Sequence, residues 1–308
     1  MTRGAALVLA AAFLRGAPAA AQAFTPLEGV GAVTLGSQYV DNTGHRLSDG
    51  SLVGGTSVTM GVFVETEYGF TDRLAASLGI AYVFAKWTDP QPPPPFFPYL
   101  RVDSCHCWNS AFQDFSLSAR YRFGDDPWTL TPLLRVVLPS HGYNTRGEAV
   151  VGRNLREVQV GAAGAVRLAG LLPKAVVQAG YMYAFVQKIL GIPNDRSNGF
   201  VELGYAASRR LYLRAEARWQ RTHGGLRVGY PSGDPFPPPG EVNTPELVAE
   251  HDRLLRDDNW RIGGGISYSL GDVDVFAGVS KYVAGTDTHD GQVYTVGLTY
   301  YFGGPFRR

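Results

Sequence analysis

After residue 23 this chain of 308 residues lacks any apolar run long enough to cross a bilayer as a helix, which takes roughly 20 residues. It also lacks charge of a dominant sign: 28 Lys and Arg stand against 27 Asp and Glu, leaving +1. That balance offers no bulk attraction to nucleic acid. Missing too are a Walker phosphate loop, a zincin motif and a dinucleotide fingerprint, the carriers of much nucleotide, zinc and cofactor chemistry. No cofactor is expected. Cysteine is confined to one tripeptide, Cys105-His106-Cys107. What the chain has in abundance is glycine, 38 residues, and aromatics, with 16 Tyr and 16 Phe. Mean hydropathy is −0.07, as in a wall whose outward apolar and inward polar residues alternate and cancel.

The first residues read as an export signal. Arg3 supplies the positive end, Ala5 to Leu14 is a short apolar run, and Ala21-Gln22-Ala23 is a cleavage site of the small-x-small type. Cleavage is expected before Phe24, giving a signal peptide 1–23, a barrel 24–302 and a tail 303–308. No Cys follows the apolar run, so no lipid anchor is expected at the mature N-terminus.

The remainder is a series of alternating segments of about ten residues, the period that membrane-spanning strands require. Strands are predicted at 30–40, 57–68, 74–87, 113–123, 128–139, 157–168, 175–187, 199–207, 211–221, 259–270, 273–283 and 292–302. In the segment 211–220, Leu211, Leu213, Ala215, Ala217 and Trp219 face one way, while Tyr212, Arg214, Glu216, Arg218 and Gln220 face the other. The connections alternate in length. Those at 69–73, 124–127, 169–174, 208–210 and 271–272 are short; those at 41–56, 88–112, 140–156, 188–198, 222–258 and 284–291 are long. This asymmetry belongs to outer-membrane barrels, and a soluble sandwich has no reason to show it. The predicted fold is therefore all-β: a transmembrane, antiparallel, up-and-down barrel of about 12 strands with both termini in the periplasm.

Two further signals agree. Aromatic residues gather at strand ends, where amphipathic rings prefer the headgroup level. Tyr68, Phe70, Phe123, Trp128, Tyr205, Tyr268, Tyr300 and Phe302 would ring the periplasmic boundary; Phe84, Trp87, Tyr183, Phe185, Trp219, Trp260 and Tyr294 would ring the outer one. The closing segment 295–302 resembles the signal by which the barrel-assembly machinery recognises its clients, carried by Gly297, Tyr300 and Phe302.

The segment Glu67-Tyr68-Gly69-Phe70-Thr71-Asp72-Arg73-Leu74, the strand end Val137-Leu138-Pro139-Ser140 and the closing strand together resemble a family of outer-membrane proteins named for the MetA pathway of phenol degradation. Its members are labelled transporters. The resemblance spans most of the mature chain and implies a passive uptake channel for small hydrophobic or aromatic molecules. One departure is the tail after Phe302, Gly303-Gly304-Pro305-Phe306-Arg307-Arg308.

In such a barrel the inward charges are candidates for a constriction: Glu65, Glu67, Arg120, Arg122, Arg135, Arg167, Glu202, Arg214, Glu216, Arg218 and Arg261. Glu157 and Asp274 also face inward, and Glu202 is expected to pair with Arg214 across the 208–210 turn. The competing reading is structural, with these charges forming ladders that fill and stiffen the interior. Small inward residues, such as Ala75, Ser77, Gly79 and Ala81, leave space for a narrow conduit. In the loop 88–112, four consecutive prolines favour a stiff extended arm, and Phe96, Phe97 and Tyr99 could meet a hydrophobic solute. Thr244-Pro245-Glu246 is a good helix start and predicts a helical lid near 245–256. Cys105 and Cys107 are a disulfide candidate in an oxidising setting; free thiols and a Zn or Cu site with His106 are the alternatives. All six histidines fall in predicted loops.

Outer-membrane phospholipase A uses a His-x-Ser-Asn-Gly segment. Here Asp195-Arg196-Ser197-Asn198-Gly199 keeps the Ser-Asn-Gly, but Asp195 stands where the base belongs, and a serine needs an adjacent base to attack. No enzyme activity is expected on this pattern. The leading expectation is a monomeric outer-membrane channel whose partners are outer-membrane lipid, the assembly machinery and a small solute, in a Gram-negative bacterium. A plugged structural or adhesive barrel is second and a lipid hydrolase third.

Overall fold

The computed structural model describes residues 23–89, 105–147, 149–168, 170, 172–227 and 245–303. In chain order its elements are β1 (Gly31–Arg46), β2 (Leu52–Val53), β3 (Ser57–Gly69), β4 (Leu74–Trp87), β5 (Asn109–Phe112), β6 (Phe115–Tyr121), β7 (Trp128–Leu138), β8 (Glu157–Arg167), β9 (Ala175–Val186), β10 (Asn194–Ala206), β11 (Leu211–Gly224), α1 (Pro245–Leu254), β12 (Asp258–Ser269), β13 (Val273–Thr286) and β14 (Thr288–Phe302). Each long strand pairs with the next, and β14 returns to pair with β1, so twelve staves form one closed antiparallel sheet. Closure leaves no stave with an unpaired edge in lipid, where each unsatisfied backbone group costs several kcal/mol. The short β2 pairs with the upper end of β1. β5 and β6 are one stave interrupted by a bulge at Gln113 and Asp114, because both pair with β4 in registers one residue apart.

The predicted alternation maps onto the wall. Leu117, Val201 and Ile262 are 55, 54 and 54% exposed on the outer face, while the inward neighbours Ser118 and Glu202 are buried. A continuous apolar exterior of this kind belongs in lipid. Periplasmic turns are compact. The Thr71 hydroxyl accepts from the amides of Arg73 and Leu74 at 3.2 and 2.9 Å, and Ser208 does the same for Arg210 and Leu211, both local side-chain turns. Gly271 reaches φ +86° in the tightest of them, a conformation that favours glycine.

Four expectations are corrected. The stretch 284–291 is no long loop: β13 and β14 continue outward as a hairpin joined only by Asp287. Trp87 is not in the outer aromatic ring; it shares the inward parity of Ala81, Val83 and Ala85 and is 4% exposed. Glu202 stands opposite Glu216, not Arg214, whose partner is Gly204. Of the histidines, His45, His223 and His289 lie on the upper ends of β1, β11 and β14, and His251 lies in α1.

Both ends of the lumen are occupied. At the extracellular end the strap, described over 139–147 and 149–156, folds inward, burying Tyr143, Ala149 and Val151 among Val83, Ala85, Trp87 and Ala111, and Leu155 against Ala184 and Val186. The helix α1 rests on that strap. Asp252 accepts from the Gly147 amide at 2.7 Å, and the Arg253 guanidinium donates to the Arg153 and Asn154 carbonyls at 2.9 and 2.8 Å. At the periplasmic end Ala23 is fully buried between inward faces. Its carbonyl accepts from Thr129 and Thr131 at 3.1 and 2.7 Å.

Candidate functional site: the lumen

The inner wall begins with glycine. Gly36, Gly180 and Gly297 face inward, and the rings of Phe63, Phe200 and Phe276 from neighbouring strands lie over them so closely that no Cβ fits beneath. The three Phe side chains are nearly buried. Apolar rings thus lie flat along the wall in place of projecting across the lumen. Sequence periodicity gives their direction but not this laying-down, which depends on which glycine is next door.

Between these rings run polar and charged residues. Arg120 pairs with Glu67, and Arg196 pairs with Glu157, whose second carboxylate oxygen accepts from Gln159 at 2.7 Å. Arg218 pairs with Glu216 at 2.9 Å and lies over the Phe200 ring at 5.9 Å, a cation–π arrangement. Gln178 donates to Glu202 at 3.2 Å. The Arg214 guanidinium extends over Gly265 and Gly278 on β12 and β13, away from a direct bond to Glu202. Arg261, buried, reaches the Gly291 and His289 carbonyls at 3.4 Å. Glu65 and Arg135 line the same space beside Glu157. Arg122 and Arg167 stand lower: Arg122 donates to the Asp72 carbonyl at 2.9 Å, and Arg167 pairs with Asp126 of a periplasmic turn at 2.9 Å. They belong to the periplasmic rim.

Some of these charges line two cavities. The upper, of about 210 Å³, lies under the strap and α1 and is lined by Phe63, Glu65, Arg135, Glu157, Arg196 and His289 among others. The lower, of about 140 Å³, lies beside Phe200, Arg214, Glu216, Arg218 and Arg261. Charges of both signs alternate along the wall, several of them close-paired, so the lumen carries no single-sign field and is broken by polar and aromatic patches.

Arg196 was missed by the sequence reading because the strand was begun at 199. The alternation Asn194, Arg196, Asn198, Phe200, Glu202 would have found it. Above the lumen, Tyr143 in the strap donates to Asp114 at 2.6 Å and accepts from the Asn154 amide at 2.9 Å. Burial, and then the Asp114 carboxylate, raises its phenol pKa, so it remains a donor. Cys105 and Cys107 are joined by a disulfide, and the intervening His106 Nδ1 lies 3.1 Å from the Trp87 carbonyl. Phe96, Phe97 and Tyr99 lie outside the described residues. In the closing strand Gly297 faces inward, while Tyr300 and Phe302 face outward with stacked rings 6.5 Å apart.

No protein-family model and no curated protein matches the chain. Solved structures do. The COG4313 outer membrane channel from Pseudomonas putida F1 superposes with a TM-score of 0.67 at 11% identity, over 91% of this chain and 98% of that one. The NanC porin superposes with a TM-score of 0.50 at 10% identity, over 87% of this chain and 98% of that one. At such identities the likeness concerns the fold, and it extends over nearly the whole length of both chains. The chain is a twelve-strand antiparallel barrel with the architecture of outer-membrane channels and porins.

Proposed function

We propose that this protein is a monomeric outer-membrane channel for the passive passage of small molecules, with hydrophobic and aromatic solutes its preferred class. The observation that carries the reading is the pair of lumen cavities, lined by the Arg196–Glu157 and Arg218–Glu216 pairs and by Phe63 and Phe200. A small ring can exchange between such faces without a large desolvation cost, whereas a bare ion meets charges of both signs and gains no net attraction. The candidate constriction residues are Arg135, Glu157 and Arg196, which line the upper cavity, and Arg214, Glu216, Arg218 and Arg261, which line the lower, with Glu202 on the wall beside Gln178. Delivery requires export, cleavage before Phe24 and recognition of the closing strand through Gly297, Tyr300 and Phe302 by the assembly machinery. The structural-barrel reading rests on the strap and α1, which fill the outer mouth, and on Phe24 and Thr25, which remain at the inner mouth after cleavage.

Liposome swelling separates the two. Wild-type protein is expected to admit a monoaromatic solute at a rate above protein-free liposomes. A variant lacking 245–254 is expected to admit sugars and amino acids as well, because the strap loses the Asp252 and Arg253 bonds that hold it across the mouth. Absence of flux for every small solute in both proteins would leave the plugged barrel.

A further inference from the structure

On the outer face of the barrel, at the level of the upper aromatic ring, the chain assembles a cluster that the lumen does not use. Ser197 points outward from β10. Its Oγ lies 2.7 Å from His223 Nε2 on β11 and 2.9 Å from the Tyr181 hydroxyl on β9. The base missing at Asp195 in the local sequence is thus supplied from the neighbouring strand, 26 residues on. Asp195 is the residue directly opposite His223 in the ladder. Its carboxylate is fixed by the Val186 amide at 2.8 Å and by the Tyr183 hydroxyl at 3.3 Å. The Tyr183 ring in turn stacks on His223, with centroids 5.6 Å apart at 24°. Arg221 is directly opposite Ser197 and exposed. Below the cluster, Tyr181, Trp219 and Trp260 form a continuous aromatic row, the kind that settles at the lipid headgroup boundary.

We propose that Ser197 and His223 form an acyl-transfer site for the ester-linked acyl chain of an outer-leaflet lipid, opening directly to the membrane. A serine becomes nucleophilic when an adjacent base takes its proton, and this spacing meets the requirement. Ser197 Oγ bonds to the ester carbonyl carbon as its proton passes to His223 Nε2, and Tyr181 donates to Oγ to hold the attacking rotamer. The carbonyl electron pair moves onto oxygen beside Arg221. Collapse breaks the ester C–O bond, and the departing glycerol or sugar oxygen takes the proton from His223. Water, deprotonated by His223, then attacks the acyl-serine; the acyl C–Oγ bond breaks, Ser197 Oγ takes the proton back from His223, and the fatty acid departs. Asp195 is a positioning residue that places negative charge beside the imidazolium. Ser197 is 6% exposed, so ester entry requires the exposed Arg221 side chain to swing outward and close again over the bound ester, a rotamer change on the ps–ns scale.

The test uses full-length protein in phosphatidylethanolamine–phosphatidylglycerol vesicles, with free fatty acid as the readout. A parallel sample is treated with a long-chain alkyl fluorophosphonate and mapped by mass spectrometry. Wild type is expected to release fatty acid above protein-free vesicles and to carry the phosphonate on Ser197. Ser197→Ala and His223→Ala are each expected to lose about 100-fold or more, with folding verified by heat-modifiable gel mobility. Asp195→Asn is expected to lower kcat with KM unchanged. No release together with no adduct in folded wild type overturns the proposal, as does release that survives Ser197→Ala.

Discussion

The seam that closes the barrel pairs β1 with β14 from Gly31↔Phe302 to Arg46↔Thr288. The seam between β6 and β7 pairs only from Phe115↔Leu138 to Arg120↔Leu133. The chain ends, where a barrel is most exposed to fraying, are therefore held by the long ladder, and the short ladder lies in mid-sequence. Above the short ladder, side chains replace backbone pairs. Ser140 Oγ donates to the Phe112 carbonyl at 3.0 Å, Asn109 to the Ala149 carbonyl at 3.3 Å, and Gln113 to the Val151 carbonyl. One seam is backbone but for a bulge at Thr43; the other is half backbone and half strap. Their responses to damage should differ accordingly.

The largest effect is expected at the closing seam. A Cβ at Gly297 would stand 2.6 Å from the Leu35 carbonyl oxygen and would also strike the Phe276 ring. Backbone on the neighbouring stave cannot retreat without opening the ladder. Gly297→Val is therefore expected to abolish the heat-modifiable folded band altogether, and a folded yield near wild type would refute the argument. Next in size is the buried pair between the seams. Removing the Arg196 side chain takes a buried cation from the Glu157 carboxylate, 7% exposed, at a cost of about 3–5 kcal/mol. Urea unfolding from lipid vesicles should show Arg196→Ala far below wild type and Arg196→Met/Glu157→Leu close to it. Equal losses in the two variants would show that packing, not charge, dominates there.

At the short seam the loss should be smaller and local. Tyr143→Phe removes the donor to Asp114 and the acceptor for Asn154, at about 1–3 kcal/mol. Hydrogen exchange should quicken in the strap and β5 and remain unchanged in β1 and β14. Faster exchange along the closing seam as well would mean that the strap supports the whole barrel.

This contrast was only half legible in the sequence. Alternation of period two located the staves because lipid outside and a polar lumen inside impose opposite demands on neighbouring residues. It could not fix register, since a slip of two residues keeps every side chain on its own face. That is why Glu202 was matched to Arg214 and found opposite Glu216. Nor could it follow β13 and β14 past the membrane, because Gly285, Thr286 and Asp287 no longer answer to lipid on one side. Trp87 was readable: its inward parity runs unbroken from Ala75, and its aromatic character drew it to the wrong face. The Ser197–His223 contact was beyond reach for another reason, since it joins strands through a register that only the structure supplies.

The smallest effect separates the seams by pH. Tyr39 and Tyr294 oppose each other at the outer aromatic ring. His45 lies six residues above Tyr39 and opposite His289, roughly 20 Å further along the strand and clear of the lipid. His45 is buried and His289 partly so, with ring centroids 4.3 Å apart. Burial lowers the His45 pKa to about 4. The His289 pKa falls well below its ordinary value through burial, then through His45, Arg261 and Arg153. Both are therefore neutral in the fold, while the opened hairpin binds protons more readily. With the unfolded imidazole near 6.5, the open form takes up more protons as pH falls from about 6.5 toward 4, and stability drops across that window. For His45 alone the change between pH 7 and pH 6 is about 0.7 kcal/mol. Exchange corrected for its intrinsic pH dependence should show the top of β1 and β14 opening more often at pH 6. The strap seam, held through Tyr143 hydroxyl bonds that do not titrate there, should hold steady. If both seams loosen equally, the histidine pair is not the sensor, and the long ladder owes its upper half to some other contact.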